Sequence, residues 1–250
     1  MCGISTCLAD PRHWGILLAL IQIEQTLSHH HIVGFVSESS PFVHPYLLAA
    51  GSALELARSS AVSNAWEQPS SLPEMSVGGL TSHLVGQIHS VTATLDEPDR
   101  QNKLVGLLEH YELVGWRGAA LGESTNTSIR EAADFGARNV PSEMVEEAGL
   151  VLDGLARELP TKPGAAPVQP PWTNWMLTLD DFLVTRLMEI TVHSDDLAFS
   201  VGMQTPSLPD EVVEPVTNLL VNLSVQRHGR TALIRALSRA ERAPDSINGI

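Results

Sequence analysis

The feature that most constrains the fold is a long amphipathic segment at residues 178–200. Thr178 precedes the acidic Asp181 by three positions, a pattern close to the capping box that begins many helices. Apolar residues then recur at helical spacing, and they are Leu183, Leu187, Ile190, Leu197 and Ala198. Gly202 follows as a stop signal. The segment therefore predicts a long helix with one face in a core.

Other segments carry the same helical signals. They lie at about 41–66, 76–95, 103–120, 128–138, 141–159, 207–227 and 231–242. Ser76 suits an N-cap, and Pro215 moves the predicted start of its helix to about residue 214. Residues 161–171 are rich in proline and predict a linker, after which Trp172 and Trp175 plug one end of the fold. Because no alternating strand pattern appears, the sequence predicts an all-α helix bundle.

The domain organisation follows from a change in composition near residue 38. Residues 1–38 hold both cysteines and the run His29–His31, which could bind a metal loosely, and predict a poorly ordered extension with a short helix at about 14–27. Residues 39–202 form the predicted bundle. Residues 203–250 are expected to add C-terminal helices that pack on it.

Charge and cysteine content exclude several classes of protein. The net charge of −14 argues against a nucleic-acid partner and against binding to anionic membranes. Cys2 and Cys7 are the chain's two cysteines, so a disulfide scaffold is excluded and a cytoplasmic location is expected. The longest apolar run, residues 14–23, is too short to span a bilayer.

Glu189 and His193 are the first candidates for chemistry. They are four positions apart, which places a carboxylate and an imidazole on one helical face where both could bind a divalent ion. His83 is the candidate third ligand, because it lies mid-helix beside an apolar stripe. Two histidines and one carboxylate leave coordination positions open, as catalytic sites do. Asp196 is expected to orient a ligand histidine or to form an ion pair with an arginine in helix packing.

A reading without a metal uses the same residues. Glu189 is three positions from Arg186 and could pair with it, while His193 could pair with Asp196. His83 would then be a core histidine bonded to backbone. The spacing alone leaves both interpretations open.

Two segments resemble a known family. Leu72-Pro-Glu-Met-Ser-Val-Gly-Gly-Leu-Thr-Ser-His83-Leu and Arg186-Leu-Met-Glu189-Ile-Thr-Val-His193-Ser-Asp-Asp196-Leu197 are similar to the two metal-binding segments of the mycothiol-dependent maleylpyruvate isomerase N-terminal domain. That family belongs to the DinB-like four-helix bundles. The resemblance covers about residues 42–202 and keeps the order of the two segments.

The resemblance implies a function. His83, Glu189 and His193 would bind a divalent metal, commonly zinc, and the thiol cofactor mycothiol would reach that metal. A metal-bound thiol is deprotonated and nucleophilic, so a thiol transferase or isomerase acting on an electrophilic small molecule is expected. The alternatives are a hydrolase that activates water, or a non-catalytic bundle that binds a metal or small ligand.

The C-terminal region departs from the family's characterised isomerase. That enzyme has a further α/β domain, whereas the residues after Gly202 predict two helices, so its substrate is not carried over. Arg227 and Arg230 are candidates for binding the carboxylates of a thiol cofactor or substrate, the alternative being charge that complements a helix dipole. The protein is expected to be a monomer or a homodimer.

Overall fold

The structure is a computed structural model that describes residues 38–97 and 101–250. The chain divides into two units, residues 1–37 and residues 38–250. The predictions for the N-terminal extension, with its cysteines, the His29–His31 run and the helix at 14–27, lie outside the described residues. All of the described helices and strands belong to the second unit.

The described residues contain nine α-helices. These are α1 (Val43–Ala57), α2 (Ser60–Asn64), α3 (Val77–Leu95), α4 (Leu107–Leu113), α5 (Ser124–Gly136), α6 (Pro141–Glu158), α7 (Leu179–Ser200), α8 (Asp210–His228) and α9 (Arg230–Ser238). Two 3-10 turns, Leu159–Thr161 and Ala240–Arg242, and two short strands, β1 (Pro167–Val168) and β2 (Leu177–Thr178), complete the fold. In this part of the chain, no helix is both long and apolar enough to cross a membrane.

Four long helices, α1, α3, α6 and α7, form the central bundle. Helices α1 and α3 each pack against both α6 and α7, and they also contact each other. The apolar stripes of these helices meet in one core, whose fully buried members include Tyr46, Ala49, Leu80, Leu84, Ala148, Leu183 and Leu187. Helix α5 lies on α3, α8 packs on α7 and α1, and α9 packs on α8. The predicted all-α, DinB-like four-helix bundle is therefore confirmed.

Local capping explains where the two central helices begin. The Ser76 hydroxyl accepts a hydrogen bond from the Gly79 amide at 2.9 Å, so α3 starts at the predicted residue. The Thr178 hydroxyl accepts from the Asp181 amide at 3.1 Å and fixes the start of α7. Gly229 ends α8 with φ of 82°, a conformation that glycine adopts without strain.

Two predicted helices are shorter than expected. The first does not continue to residue 66, because Ser59 takes an extended conformation and its hydroxyl caps the separate helix α2. The third spans only α4 instead of residues 103–120. Its predicted first turn is extended, since the Val105 amide donates to the Met176 carbonyl at 2.9 Å. Gly118, with φ of 75°, follows the end of the helix.

One predicted helix start was wrong. Helix α8 begins at Asp210 rather than near residue 214, so Pro215 lies inside it. The described residues also contain one small hairpin, in which β1 and β2 pair antiparallel with Val168 opposite Leu177. Strands of two residues are too short to show alternation in the sequence. This small hairpin holds the proline-rich linker against the start of α7 and carries Trp172 and Trp175 in its loop.

Candidate metal centre and adjoining cavity

The packing of α3 against α7 brings His83, Glu189 and His193 together. The Glu189 Oε2 atom lies 3.2 Å from His193 Nε2 and 3.6 Å from His83 Nε2. One candidate ligand atom from each residue lies within 4.8 Å of the other two. The two imidazole rings meet edge to face at 81°. Three donors this close can contact a single ion, so the geometry fits a divalent metal.

The three side chains are shielded but not sealed. Their exposed fractions are 22% for His83, 13% for Glu189 and 17% for His193. Apolar residues of the bundle core surround them, so a carboxylate here needs a strong partner. Partial exposure leaves a route by which an ion or ligand could enter.

The electrostatic environment of the cluster shifts the pKa values of two of its members. Burial alone would raise the pKa of Glu189, but hydrogen bonds from His193 and His83 hold it well below its usual range. Burial would lower the pKa of His193, yet hydrogen bonds to Asp196 and Glu189 raise it to about 9. A metal would have to displace the proton that the cluster otherwise holds, because ligand nitrogens must be unprotonated.

Asp196 lies behind the cluster, as its predicted orienting role requires. Its Oδ2 atom is 3.0 Å from His193 Nδ1, so the carboxylate accepts a hydrogen bond from the ring nitrogen that faces away from Glu189. This contact turns Nε2 toward the other two candidate ligands. Carboxylate–histidine pairs of this kind orient metal ligands in many proteins.

Arg186 does not form the ion pair with Glu189 that the interpretation without a metal requires. Its guanidinium donates to the Gln87 side-chain oxygen and, through Nε, to the Thr185 hydroxyl at 3.1 Å. The Gln87 amide in turn lies 3.4 Å from His83 Nε2 and donates to the His83 carbonyl at 3.0 Å. Within residues 38–97 and 101–250, no carboxylate forms an ion pair with Arg186. The interpretation without a metal required two ion pairs, and the pair between Glu189 and Arg186 is therefore not formed.

A cavity of about 530 Å³ opens beside the cluster. Glu189 and Arg186 line it from α7, and the remaining walls come from α4, the loop that follows α4, α5 and the hairpin loop. We expected Trp172 and Trp175 to plug one end of the bundle, but both face this cavity. Its volume falls in the range of small-molecule pockets.

His110 and Tyr111 are cavity residues that the sequence did not reveal. His110 is 4% exposed, and its Nδ1 accepts a hydrogen bond from the Trp175 indole at 3.0 Å. Burial, aided by the charge of Arg186, lowers the pKa of His110 to about 4. Burial and the charge of Glu189 raise the pKa of Tyr111, so its hydroxyl stays protonated. The two interacting positions, 110 and 175, are 65 residues apart, too far for helical spacing to relate them.

The two arginines proposed to bind a cofactor lie away from the cluster. Arg227 is in the last turn of α8, donates to the Ile250 carbonyl and lines a second cavity of about 390 Å³. Tyr111 contributes to both cavities. Arg230 is exposed at the first position of α9. The dipole interpretation thus fits Arg227, and cofactor binding by either residue stays a prediction.

Comparison with known proteins identifies the class to which the fold and the site belong. The sequence profile of the family described as "Mycothiol maleylpyruvate isomerase N-terminal domain" matches residues 47–198. The match spans most of the bundle and includes His83, Glu189 and His193. The chain belongs to this family, whose members are mycothiol-related, DinB-like metal-binding proteins. No curated protein and no solved structure matches the chain significantly.

Proposed function

We propose that the protein is a divalent-metal enzyme that uses mycothiol in a thiol transfer or isomerisation. His83, Glu189 and His193 hold the ion, with zinc as the preferred metal. When bound, the metal supplies a Lewis acid that lowers the pKa of a thiol or water at its open positions. The thiol and an electrophilic small molecule are the partners of the reaction.

The observation that carries this proposal is the junction of the three-donor cluster with the cavity. Glu189 belongs to both, so a molecule in the cavity would lie beside one of the three residues that would hold the ion. Among the described residues, no fourth histidine, cysteine or carboxylate joins the cluster to close the coordination sphere. Closed four-ligand sets are typical of structural zinc, whereas three-ligand sets with open positions are typical of catalysis.

The surrounding residues have distinct tasks in this proposal. Asp196 holds the proton on His193 Nδ1, which leaves Nε2 available as a metal ligand. Gln87 binds the His83 carbonyl and links the cluster to Arg186. Trp172, which is 55% exposed, and Trp175 supply aromatic surface to the cavity that the reacting molecules would contact.

Metal content tests the first part of the proposal. The purified wild-type chain should hold close to one zinc after loading and dialysis, and His83→Ala should hold much less. His89→Ala is the matched control, because His89 lies on the same helix α3 but outside the cluster. If the wild-type chain retains no zinc, cobalt or manganese, both the proposed metal site and the proposed enzymatic activity are refuted.

A panel of thiols tests the second part. The zinc-loaded protein is incubated with mycothiol, glutathione or bacillithiol and a set of electrophiles, and adducts are measured by mass spectrometry. We expect turnover with mycothiol that His83→Ala abolishes. Water-dependent cleavage without any thiol would support a hydrolase, and metal binding without turnover would support a non-catalytic bundle; both results would contradict the transferase.

A further inference from the structure

The cavity beside the metal cluster carries an unusual set of polar groups. Tyr111 is 2% exposed, and its buried hydroxyl has no hydrogen-bond partner in the described part of the chain. The Nε2 atom of His110 also forms no hydrogen bond there, because the ring's one side-chain hydrogen bond is at Nδ1, but this atom is not fully buried. Buried polar groups are normally satisfied, so the unpartnered Tyr111 hydroxyl at the cavity wall indicates a ligand that completes it.

Trp175 determines which proton His110 carries. An indole N–H can only donate, so His110 Nδ1 must accept the 3.0 Å hydrogen bond through its lone pair. A neutral imidazole then carries its proton on Nε2, and this nitrogen can only donate. The lowered pKa of His110 agrees with a neutral ring. His110 therefore offers the cavity a fixed N–H donor.

Arg186 adds a positive charge to the same cavity. Its side chain is 9% exposed, lies over the rings of Trp172 and Phe182, and is paired with no carboxylate among the described residues. Glu189, the one carboxylate that lines the cavity, already faces the two imidazoles of the cluster. A buried guanidinium without a counter-ion favours an anionic ligand.

We propose that His110, Tyr111 and Arg186 form a donor wall that binds the anionic oxygens of a small-molecule carboxylate. The inference rests on the proposed function in that this ligand is the substrate lying next to the metal. One guanidinium balances one negative charge, which favours a monoanion over a phosphate dianion. The indole side chains of Trp116, Trp172 and Trp175 line the cavity and suit an aromatic body, and about 530 Å³ accommodates a molecule with two fused rings.

Calorimetric titration of the full chain tests the donor wall with three probes that share a naphthalene ring and differ in their polar group. These are 2-naphthoate, neutral 2-naphthamide and 2-naphthyl phosphate, each titrated into metal-free and zinc-loaded protein. We expect 2-naphthoate to bind about tenfold or more tightly than 2-naphthamide, because hydrogen bonds to a charged oxygen are the stronger kind. Equal affinity for the two, or no binding of 2-naphthoate, overturns the proposal. Tighter binding of the phosphate overturns the assignment to a carboxylate.

Tyrosine variants separate ligand binding from folding. Tyr111→Phe removes a hydroxyl that has no partner in the described structure, so the fold should be kept while 2-naphthoate affinity falls about tenfold. Tyr46→Phe is the matched control, because its hydroxyl is equally buried and unpartnered but does not line the cavity. Equal losses in the two variants, or no loss in Tyr111→Phe, would contradict a ligand contact.

Substitutions at His110 test the fixed donor. His110→Gln keeps a neutral N–H donor and should retain 2-naphthoate binding within about threefold, whereas His110→Leu should lose about tenfold. Similar losses in both variants would assign His110 to packing alone. Zinc content is measured on every variant and should match wild type. A wild-type chain without zinc would defeat the proposed enzyme, while the probe titrations of the metal-free chain would still decide on the donor wall.

Discussion

The metal cluster and the donor wall lie side by side, yet different kinds of structure build them. His83, Glu189 and His193 lie on two long, capped helices, and their positions follow from helical spacing plus one packing contact. His110 and Tyr111 lie on the seven-residue helix α4, and the hairpin loop that carries Trp175 fixes His110. In regular helices, the periodicity of the sequence determines where the donor atoms lie. The cavity wall instead depends on contacts between distant, irregular segments.

Removing a ligand from the metal cluster, which lies on the two long helices, should have the largest effect on metal affinity. His83→Ala leaves two metal ligands. Substituting a residue that only orients a ligand lowers metal affinity by about 10- to 100-fold, so we expect the loss of a ligand to lower it by more than about 100-fold. Competition with a chelating dye measures this change. His89→Ala should bind the metal as wild type does, and an equal loss in both variants would mean that His83 is not a ligand.

The contact behind His193 should matter next. Asp196→Asn replaces the carboxylate that accepts from His193 Nδ1 with a neutral amide, so the ring loses its preferred orientation. We expect metal affinity to drop by about 10- to 100-fold, measured by the same competition. Asp195→Asn supplies the comparison, because the adjacent Asp195 is exposed and its side chain accepts from Thr205 instead. An unchanged affinity in Asp196→Asn would contradict the orienting role.

On the cavity side, His110 should make the fold sensitive to acid. Its pKa is about 4 in the folded protein against 6.5 for an unperturbed histidine, so the unfolded chain binds the extra proton between these values. Stability therefore falls as the pH drops from about 7 to about 5, and this group accounts for about 2 kcal/mol of the loss.

The non-titrating variant His110→Gln isolates that contribution. Chemical unfolding of the metal-free protein at both pH values should show a decrease smaller than that of wild type by about 2 kcal/mol, while other titrating groups act equally in both proteins. The same decrease in variant and wild type would show that His110 does not stay neutral in the fold.

The smallest expected effect concerns the cap of α7. Thr178→Ala leaves the Asp181 amide without its side-chain acceptor and should lower the free energy of unfolding by about 1 kcal/mol. Thr178→Ser keeps a hydroxyl and should restore most of it. Urea unfolding measures both variants, and a loss in Thr178→Ser as large as in Thr178→Ala would point to the methyl group rather than the cap.

The same comparison explains how much the sequence could predict. Ser76 and Thr178 set the starts of α3 and α7, and the spacing of Glu189 and His193 placed them on one face, because these are local properties of a helix. The place of His83 beside the apolar stripe of its helix made it the candidate third ligand, and the family resemblance supported that choice. By contrast, the short α4 and the hairpin depend on a contact between distant segments, in which the Val105 amide donates a hydrogen bond to the Met176 carbonyl. No local pattern encodes such contacts, so His110, Tyr111 and the cavity were missed.

X-ray absorption of the zinc-loaded protein decides whether two imidazoles and one carboxylate hold the metal. We expect nitrogen and oxygen around the zinc, with scattering from two imidazoles in wild type and from one in His83→Ala. Sulfur should bind the zinc only after a thiol such as mycothiol is added. Protein sulfur bound to the zinc without added thiol, or imidazole scattering that His83→Ala leaves unchanged, would mean that these three residues do not hold the metal.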